Sequence, residues 1–113
     1  MQRFCFTLDL RPDLNLIAEY VELHRHGRPE IHQSIRDAGV LDMQIFLTDN
    51  RLFMIMDTND TFTLEHKAAM DLANPHVLVW EQLMTRFQDV DGLDDPTTRW
   101  KPLEKIFQLD NRE

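Results

Sequence analysis

Tyrosine and histidine stand four residues apart in the segment "AEYVELHRHGRPE", residues 18–30. In a helix this spacing places Tyr20 and His24 on the same face, one turn apart. A histidine titrates near neutrality, and a buried tyrosine hydroxyl can orient or relay its proton, so the pair could perform acid–base chemistry. On spacing alone, a histidine packed in the core and satisfied by one hydrogen bond is the more common outcome.

The other histidines offer a metal site as an alternative interpretation. His24, His26 and His32 could supply imidazoles, and Glu30 follows with a carboxylate. However, helical residues two apart point in nearly opposite directions, and the chain has no His-Glu-x-x-His motif. We therefore predict no metal ion, and we expect His26 and His32 to be surface residues.

A second candidate pair, Trp80 and Glu81, lies in the segment "NPHVLVWEQLMTRF", residues 74–87. A tryptophan ring can stack on the apolar C–H face of a sugar, and a neighbouring carboxylate can accept hydrogen bonds from its hydroxyls. Helical spacing equally allows Trp80 to be a large core residue beside Val77 and Met84. The sequence leaves stacking and packing both open.

Composition narrows the class of protein. The chain has 113 residues, a formal net charge of −8 and 42% hydrophobic residues, which predicts one globular domain spanning residues 1–113. Its acidity argues against nucleic-acid binding, which requires a basic patch. There is no signal-peptide core, and no apolar run approaches the roughly 20 residues of a membrane span. With Cys5 as its single cysteine, the chain fits a reducing compartment, and we predict a cytoplasmic protein.

Periodicity predicts the elements that must position these side chains. In chain order they are a strand at 2–9, helical segments beginning at Pro12-Asp13 and at Pro29, two strands of a hairpin within 43–56, helices within 61–73 and 75–87, a polar loop at 89–102 and a last strand at 103–109. The run from Leu52 to Met56 contains no polar residue, so we expect it to form a central strand. His24 falls inside the apolar arc of the first helix, between Ile17 and Tyr20.

This order of elements predicts an α+β fold of the ferredoxin-like, βαββαβ type. The helices of such a fold cover one face of an antiparallel sheet and leave the other face open. Because an exposed apolar sheet face is unfavourable, we expect a homodimer to cover it.

The chain also resembles a known family. The runs "EYVELHRHGRPEI", "IFLTDNRLFMIM", "NPHVLVWEQLMTRF" and "LEKIFQL" are similar in content and order to the L-rhamnose mutarotase family, over roughly residues 3–109. The resemblance implies a dimeric α/β barrel of ferredoxin-like subunits. It also implies cofactor-free interconversion of the α and β anomers of a 6-deoxyhexose, and related bacterial enzymes are assigned to L-fucose.

The family motif implies roles for individual residues. Tyr-x-x-x-His followed by Pro-Glu corresponds to Tyr20, His24 and Pro29-Glu30. By resemblance, His24 is the proton donor, Tyr20 contacts the sugar, and Trp80 contacts the sugar from the later helix. We expect His24 to protonate the ring oxygen, with Glu30 or Glu81 raising a pKa that burial lowers. The general base is left open between Tyr20, Glu81 and water.

This chain departs from the L-rhamnose enzymes of that family at three positions. Glu81 stands where they carry the second tryptophan of a Trp-Trp pair, and Met43 replaces a strand tyrosine. Arg28 replaces the tryptophan before Pro-Glu, which alters the rim of the pocket but not the chemistry. The expected substrate-binding residues are Tyr20, Glu30, Met43, Trp80 and Glu81. Because a carboxylate and a thioether replace aromatic contacts, we expect L-fucose to be favoured, with L-rhamnose next.

Two other classes of protein fit the same fold, since fold does not determine function. Dimeric α/β barrels include cofactor-free monooxygenases and haem-handling proteins. A non-catalytic sugar-binding module would bind the sugar without accelerating anomer exchange.

Overall fold

The computed structural model describes residues 1–90 and 96–110, which form an antiparallel sheet with helices packed on it. The elements are β1 (Gln2–Asp9), α1 (Leu14–His26), α2 (Pro29–Asp37), β2 (Val40–Thr48), β3 (Arg51–Thr58), α3 (Leu64–Ala73), α4 (Pro75–Met84), a 3₁₀ turn (Pro96–Thr98) and β4 (Lys101–Pro102). The strand order is β2-β3-β1-β4. The predicted α+β, ferredoxin-like arrangement is confirmed.

The central position of β3 follows from its composition. Leu52, Met54 and Met56 are buried on the face that meets the helices, whereas Phe53 and Ile55 point to the opposite face and are half-buried. β3 pairs with β1 on one side and β2 on the other. A strand apolar on both faces is stable only between two neighbours, as the sequence predicts.

Helix α1 begins and ends at local signals. The Asp13 side chain accepts hydrogen bonds from the backbone N–H groups of Asn15 and Leu16, at 2.9 and 3.2 Å. The helix ends at Gly27, whose φ of 67° lies in the left-handed region that favours glycine. These two ends determine where Tyr20 and His24 stand along the helix.

Helix α4, which carries Trp80 and Glu81, begins at a cap. The Asn74 side chain accepts a hydrogen bond from the backbone N–H of His76 at 2.9 Å, and Pro75 occupies the first turn.

Replacing the cap should destabilise the protein measurably. Asn74→Ala removes the acceptor for an otherwise unpaired N–H and is expected to lower the free energy of unfolding by about 1 kcal/mol in urea titrations. Asn15→Ala, at an exposed helical position, is the control and should change stability by less than about 0.5 kcal/mol. Equal effects of the two substitutions would contradict the assigned role of the cap.

The described part of the core has two buried clusters on the helix-facing side of the sheet. One joins α1 and α4 through Tyr20, Trp80, Met84 and Phe87, and the other surrounds Phe62. The first cluster is the one that holds the candidate residues in place. No helix within residues 1–90 and 96–110 has both the length and the hydrophobicity to cross a membrane.

The predicted last strand at 103–109 is wrong. Of residues 96–110, only Lys101 and Pro102 pair with β1, opposite Thr7 and Phe6, and the last contact with β1 is Leu103 N–H donating to the Cys5 carbonyl at 2.8 Å. The chain then leaves the sheet, and Ile106, Phe107 and Leu109 are 90%, 75% and 88% exposed. Alternating hydrophobicity predicts a strand only if a partner edge is within reach, and a period-two pattern does not say where that edge lies. We call residues 103–109 the apolar tail.

The predicted loop at 89–102 is partly described. Residues 91–95 lie outside the described residues, and the remainder contains the 3₁₀ turn and β4.

The sheet face opposite the helices, which we call the open face, combines apolar side chains with ion pairs at its ends. Arg3 pairs with Asp57 at 2.7 Å, and Arg51 pairs with Asp9 at 2.8 Å. Between these pairs lie Cys5, Thr7, Phe46, Phe53 and Ile55.

Candidate active site

A cavity of about 800 Å³ lies between the sheet and the helices, and most of the predicted site residues line it. This volume falls in the range of about 300–1,000 Å³ that is typical of small-molecule sites. The predicted residues on its wall are Tyr20, His24, Met43, Trp80 and Glu81. The fold therefore brings together residues from α1, β2 and α4 that are far apart in the sequence.

The histidine stands in a stack of flat side chains. The rings of Tyr20 and His24 lie 4.2 Å apart between centroids, and His24 meets the Trp80 ring edge-on at 5.4 Å. The Arg28 guanidinium lies over the Trp80 ring, 5.0 Å from its centroid. Trp80 is only 9% exposed, so both interpretations of this residue hold in part: it packs in the core and also borders the cavity.

The hydrogen bond of His24 determines which of its nitrogens can exchange a proton. Nδ1 lies 2.9 Å from the backbone carbonyl of Tyr20, one turn earlier in α1. Because a carbonyl oxygen only accepts, we assign the hydrogen of the neutral ring to Nδ1. Burial lowers the pKa of His24 below 6.5, although the bond to Tyr20 opposes this effect. At neutral pH the ring is therefore mainly neutral, and Nε2 is free to accept a proton.

The Glu81 carboxyl is protonated at unusually high pH. Burial, only partly offset by the positive charge of Arg99, raises its pKa to about 7. The Arg99 Nη1 atom lies 3.8 Å from Glu81 Oε2, which is longer than a hydrogen bond. Lys67 lowers and Asp71 raises the same pKa to a smaller extent. A carboxyl group with this pKa can donate or accept a proton near neutrality.

A buried polar network, not predicted from the sequence, connects Tyr20 with Glu81. The Tyr20 hydroxyl is hydrogen-bonded to the Gln88 side chain. Arg99 Nη1 lies 3.4 Å from Gln88 Oε1 and donates to the backbone carbonyl of Glu81 at 3.1 Å. The only sequence signal for Arg99 is its position before Trp100 in a polar stretch, which does not distinguish it from a surface arginine.

The remaining predicted residues lie in different settings. Met43 is half-buried on the helix-facing side of β2. Glu30 is exposed in the first turn of α2, where a negative charge favours the helix dipole, and it does not line the cavity. His26 is exposed and pairs with Glu22 at 2.7 Å. Among the residues that the structure describes, no three potential ligands cluster around a metal position.

Comparisons with known proteins converge on one family. The profile described as L-rhamnose mutarotase matches residues 3–109. An L-fucose mutarotase from Xanthomonas campestris is 38% identical over 111 residues, covering 96% of this chain and 89% of that protein. An L-rhamnose mutarotase from Sinorhizobium medicae is 28% identical over 111 residues, covering 96% and 99%. The crystal structure of an L-rhamnose mutarotase from Formosa agariphila superposes with a TM-score of 0.74 at 25% identity, covering 97% of this chain and 100% of that chain.

Proposed function

We propose, on the premise that this chain belongs to the L-rhamnose mutarotase family, that it interconverts the α and β anomers of a 6-deoxyhexose and prefers L-fucose. Membership makes it an isomerase of the sugar mutarotase type. The preference for L-fucose is supported by the higher identity to an L-fucose mutarotase, 38%, than to an L-rhamnose mutarotase, 28%. It is also supported by Met43 and Glu81, which replace aromatic residues on the cavity wall.

One observation carries the proposed chemistry: a histidine with a free Nε2 and a carboxyl group that titrates near neutrality line the same cavity. Opening a pyranose ring requires one proton to reach the ring oxygen while the anomeric hydroxyl loses another. A neutral imidazole and a carboxyl group that titrates near pH 7 are suited to this task, and each positioned group contributes typically ~10²–10⁴-fold. Metal ions and covalent intermediates are not required by this chemistry.

Tyr20 is a poor candidate for the general base. Burial raises its pKa above 10.0, and the nearby Glu81 charge raises it further, against the effect of the hydrogen bond from Gln88. Because its phenolate is rare at neutral pH, we propose that Tyr20 positions the site and contacts the sugar as a neutral hydroxyl. His24 exchanges protons with the substrate through Nε2.

The choice of sugar should depend on the polar wall of the cavity. L-Fucose and L-rhamnose differ in the configuration of two ring hydroxyls, and a site that hydrogen-bonds a hydroxyl discriminates strongly against its misplacement. We propose that Glu81 contacts hydroxyl groups, with Met43 packing against an apolar part of the sugar. Glu30, exposed outside the cavity wall, contacts the sugar only if the site extends beyond the wall.

Saturation-transfer NMR at neutral pH tests the activity and the preference together. We expect anomer exchange above the buffer rate for both sugars, with L-fucose favoured by about tenfold or more in kcat/KM, which corresponds to about 1.4 kcal/mol. Met43→Tyr, which restores the aromatic group, should shift the preference toward L-rhamnose. No acceleration with either sugar would refute the proposed activity, and equal rates would refute the preference.

We also propose that the enzyme is a homodimer in which the open face and the apolar tail are covered. The proposal is supported by the exposure of Ile106, Phe107 and Leu109 in the isolated chain, and by the apolar centre of the open face. Side chains of this kind are rarely left together in solvent.

Light scattering during size-exclusion chromatography tests the dimer. We expect the dimer mass for the full chain, and at least about tenfold weaker association for Ile55→Glu, because the charge would be buried in the interface. Val79→Glu, at a 62% exposed position of α4 away from the open face, is the control and should remain dimeric. A monomeric full chain, or an Ile55→Glu dimer of unchanged affinity, would refute this assembly.

A further inference from the structure

We infer that Glu81 is the second proton-transfer group of this site, and that Glu81 and His24 work as a pair in which the carboxyl carries the transferable proton at rest and Nε2 receives one. This inference rests on the proposed mutarotase function. It reverses the resting roles expected from the family resemblance, in which His24 is the donor. It also assigns the general base that the sequence left open, which is His24 in ring opening and Glu81 in ring closure.

The first support is geometric. His24 Nδ1 is engaged by the carbonyl of Tyr20 at 2.9 Å, so only Nε2 can reach a substrate. Glu81 follows Trp80 on α4, and the Trp80 ring meets the His24 ring at 5.4 Å. The Glu81 side chain is 28% exposed and lines the cavity that His24 also lines. The two groups therefore face the same space from two helices.

The second support comes from the charges around Glu81. Arg99 lies at 3.8 Å, outside hydrogen-bond distance, and donates instead to the Glu81 backbone carbonyl at 3.1 Å. On α3, Lys67 is paired with Asp71 at 2.6 Å, so its charge is largely neutralised. Tyr20, from α1, is a neutral hydroxyl. Arg99 therefore favours the charged form of Glu81 without a hydrogen bond to the carboxylate, and burial outweighs this effect and raises the pKa to about 7.

The third support is the environment of His24. Its ring contacts the rings of Tyr20 and Trp80, and the Arg28 guanidinium lies over the Trp80 ring, 5.0 Å from its centroid. None of these neighbours is an anion that would stabilise an imidazolium. Burial lowers the pKa of His24 below 6.5 and raises that of Glu81 to about 7, so Glu81 holds its proton to a higher pH than His24 does.

The pair accounts for both halves of the reaction with protons and electrons balanced. In ring opening, the Glu81 carboxyl gives its proton to the ring oxygen as the bond to the anomeric carbon breaks, and the bonding electrons stay on oxygen. His24 Nε2 takes the proton of the anomeric hydroxyl, whose O–H electrons form the carbonyl. The site then holds the open-chain aldehyde, the Glu81 carboxylate and the His24 imidazolium.

Ring closure returns both groups to their starting state. After the aldehyde rotates, the Glu81 carboxylate removes the hydroxyl proton as that oxygen attacks the other carbonyl face. The His24 imidazolium returns its proton to the carbonyl oxygen. His24 is thus the donor in closure and the acceptor in opening, so the donor role implied by resemblance is one half of the cycle.

The kinetic test compares wild type, Glu81→Gln and Glu19→Gln by saturation-transfer NMR across the neutral pH range. We expect a bell-shaped rate profile for wild type and a loss of about 10²-fold or more in Glu81→Gln, which retains the shape of the side chain but cannot transfer the proton. Glu19→Gln, at an exposed position of α1, should match wild type. If wild type accelerates the exchange of neither sugar, the proposed function itself is refuted. Active wild type with a Glu81→Gln rate within about threefold would refute only this inference.

A second measurement uses the unmodified protein and does not depend on activity. Carbon-13 NMR of labelled glutamate carboxyls, with Glu81 assigned from the spectrum of Glu81→Gln, should place the Glu81 titration near pH 7. Nitrogen-15 NMR should find His24 neutral at that pH and protonated on Nδ1. An ordinary glutamate titration, a His24 imidazolium at that pH, or a proton on Nε2 of the neutral ring would each overturn the assignment.

Discussion

His24→Ala is expected to lower the rate of catalysed anomer exchange by about 10²–10⁴-fold, the contribution of one positioned proton-transfer group. The variant removes Nε2, the only nitrogen of the ring that is not held by the Tyr20 carbonyl. Saturation transfer with L-fucose measures the loss directly. KM should change less than kcat, because the ring acts in proton transfer more than in holding the sugar.

The control for this prediction lies on the same helix. His26→Ala removes an exposed imidazole that pairs with Glu22 at 2.7 Å, and its exchange rate should equal that of wild type. A folded His24→Ala protein with full exchange would contradict the assignment.

The pH dependence of stability provides a separate test of His24. Because the pKa of His24 is lowered in the fold, wild type loses stability as pH falls below 6.5, and His24→Ala should lack this part of its acid sensitivity.

Arg99→Met is expected to lower the free energy of unfolding by about 3–5 kcal/mol above pH 7, the cost of removing one partner from a buried charge pair. The Arg99 side chain is 4% exposed and lies 3.8 Å from Glu81 Oε2. Its loss leaves the partly buried Glu81 carboxylate without its principal counter-charge. The same substitution also removes the donor near the Gln88 side-chain oxygen and one donor of the Glu81 carbonyl, which keeps its hydrogen bonds from Thr85. Urea denaturation across pH measures the effect.

The pH dependence of this loss has a definite sign. The pKa of Glu81 is raised in the fold from 4.5 to about 7, so the folded state binds its proton more tightly than the unfolded state. Wild-type stability from this group is therefore greatest at acid pH and declines as pH rises from 4.5 through about 7. Because the neutral carboxyl needs no counter-charge, Arg99→Met should be less damaging at acid pH.

Two further variants isolate the pair. Glu81→Gln in the Arg99→Met background should recover the pH-dependent part of the lost stability, since no charge then remains to be neutralised. Arg86→Met, which breaks the exposed pair with Glu19 at 3.1 Å, should cost no more than about 1 kcal/mol. A loss in Arg99→Met that is independent of pH, or as small as that of Arg86→Met, would contradict the buried charge pair.

Several site features were predictable because they depend on local spacing. Tyr20 and His24 share a helix face because they are four residues apart, and the structure brings their rings to 4.2 Å. The caps Asp13 and Asn74 act on N–H groups within three residues of themselves. Trp80 could not be decided in this way, because a ring that packs and a ring that lines a cavity have the same helical spacing.

The sequence by itself determined the order of helices and strands, the first residues of β1, α2 and α4, and the central position of β3. These features depend on contacts between residues a few positions apart, and periodicity records such contacts. The reaction class was predicted from the family resemblance, because periodicity indicates secondary structure and not chemistry.

Only the tertiary structure decided which distant groups meet. Arg99 reaches the Glu81 carbonyl from 18 positions away, and this proximity, with burial of the carboxyl, sets a pKa that no local pattern encodes. The same holds for Glu30, which lies outside the cavity wall, and for the apolar tail, which leaves the edge of β1 after Leu103. Burial and long-range contact are properties of the packed chain, so both the protonation states of the site and the end of the sheet were decided by the fold.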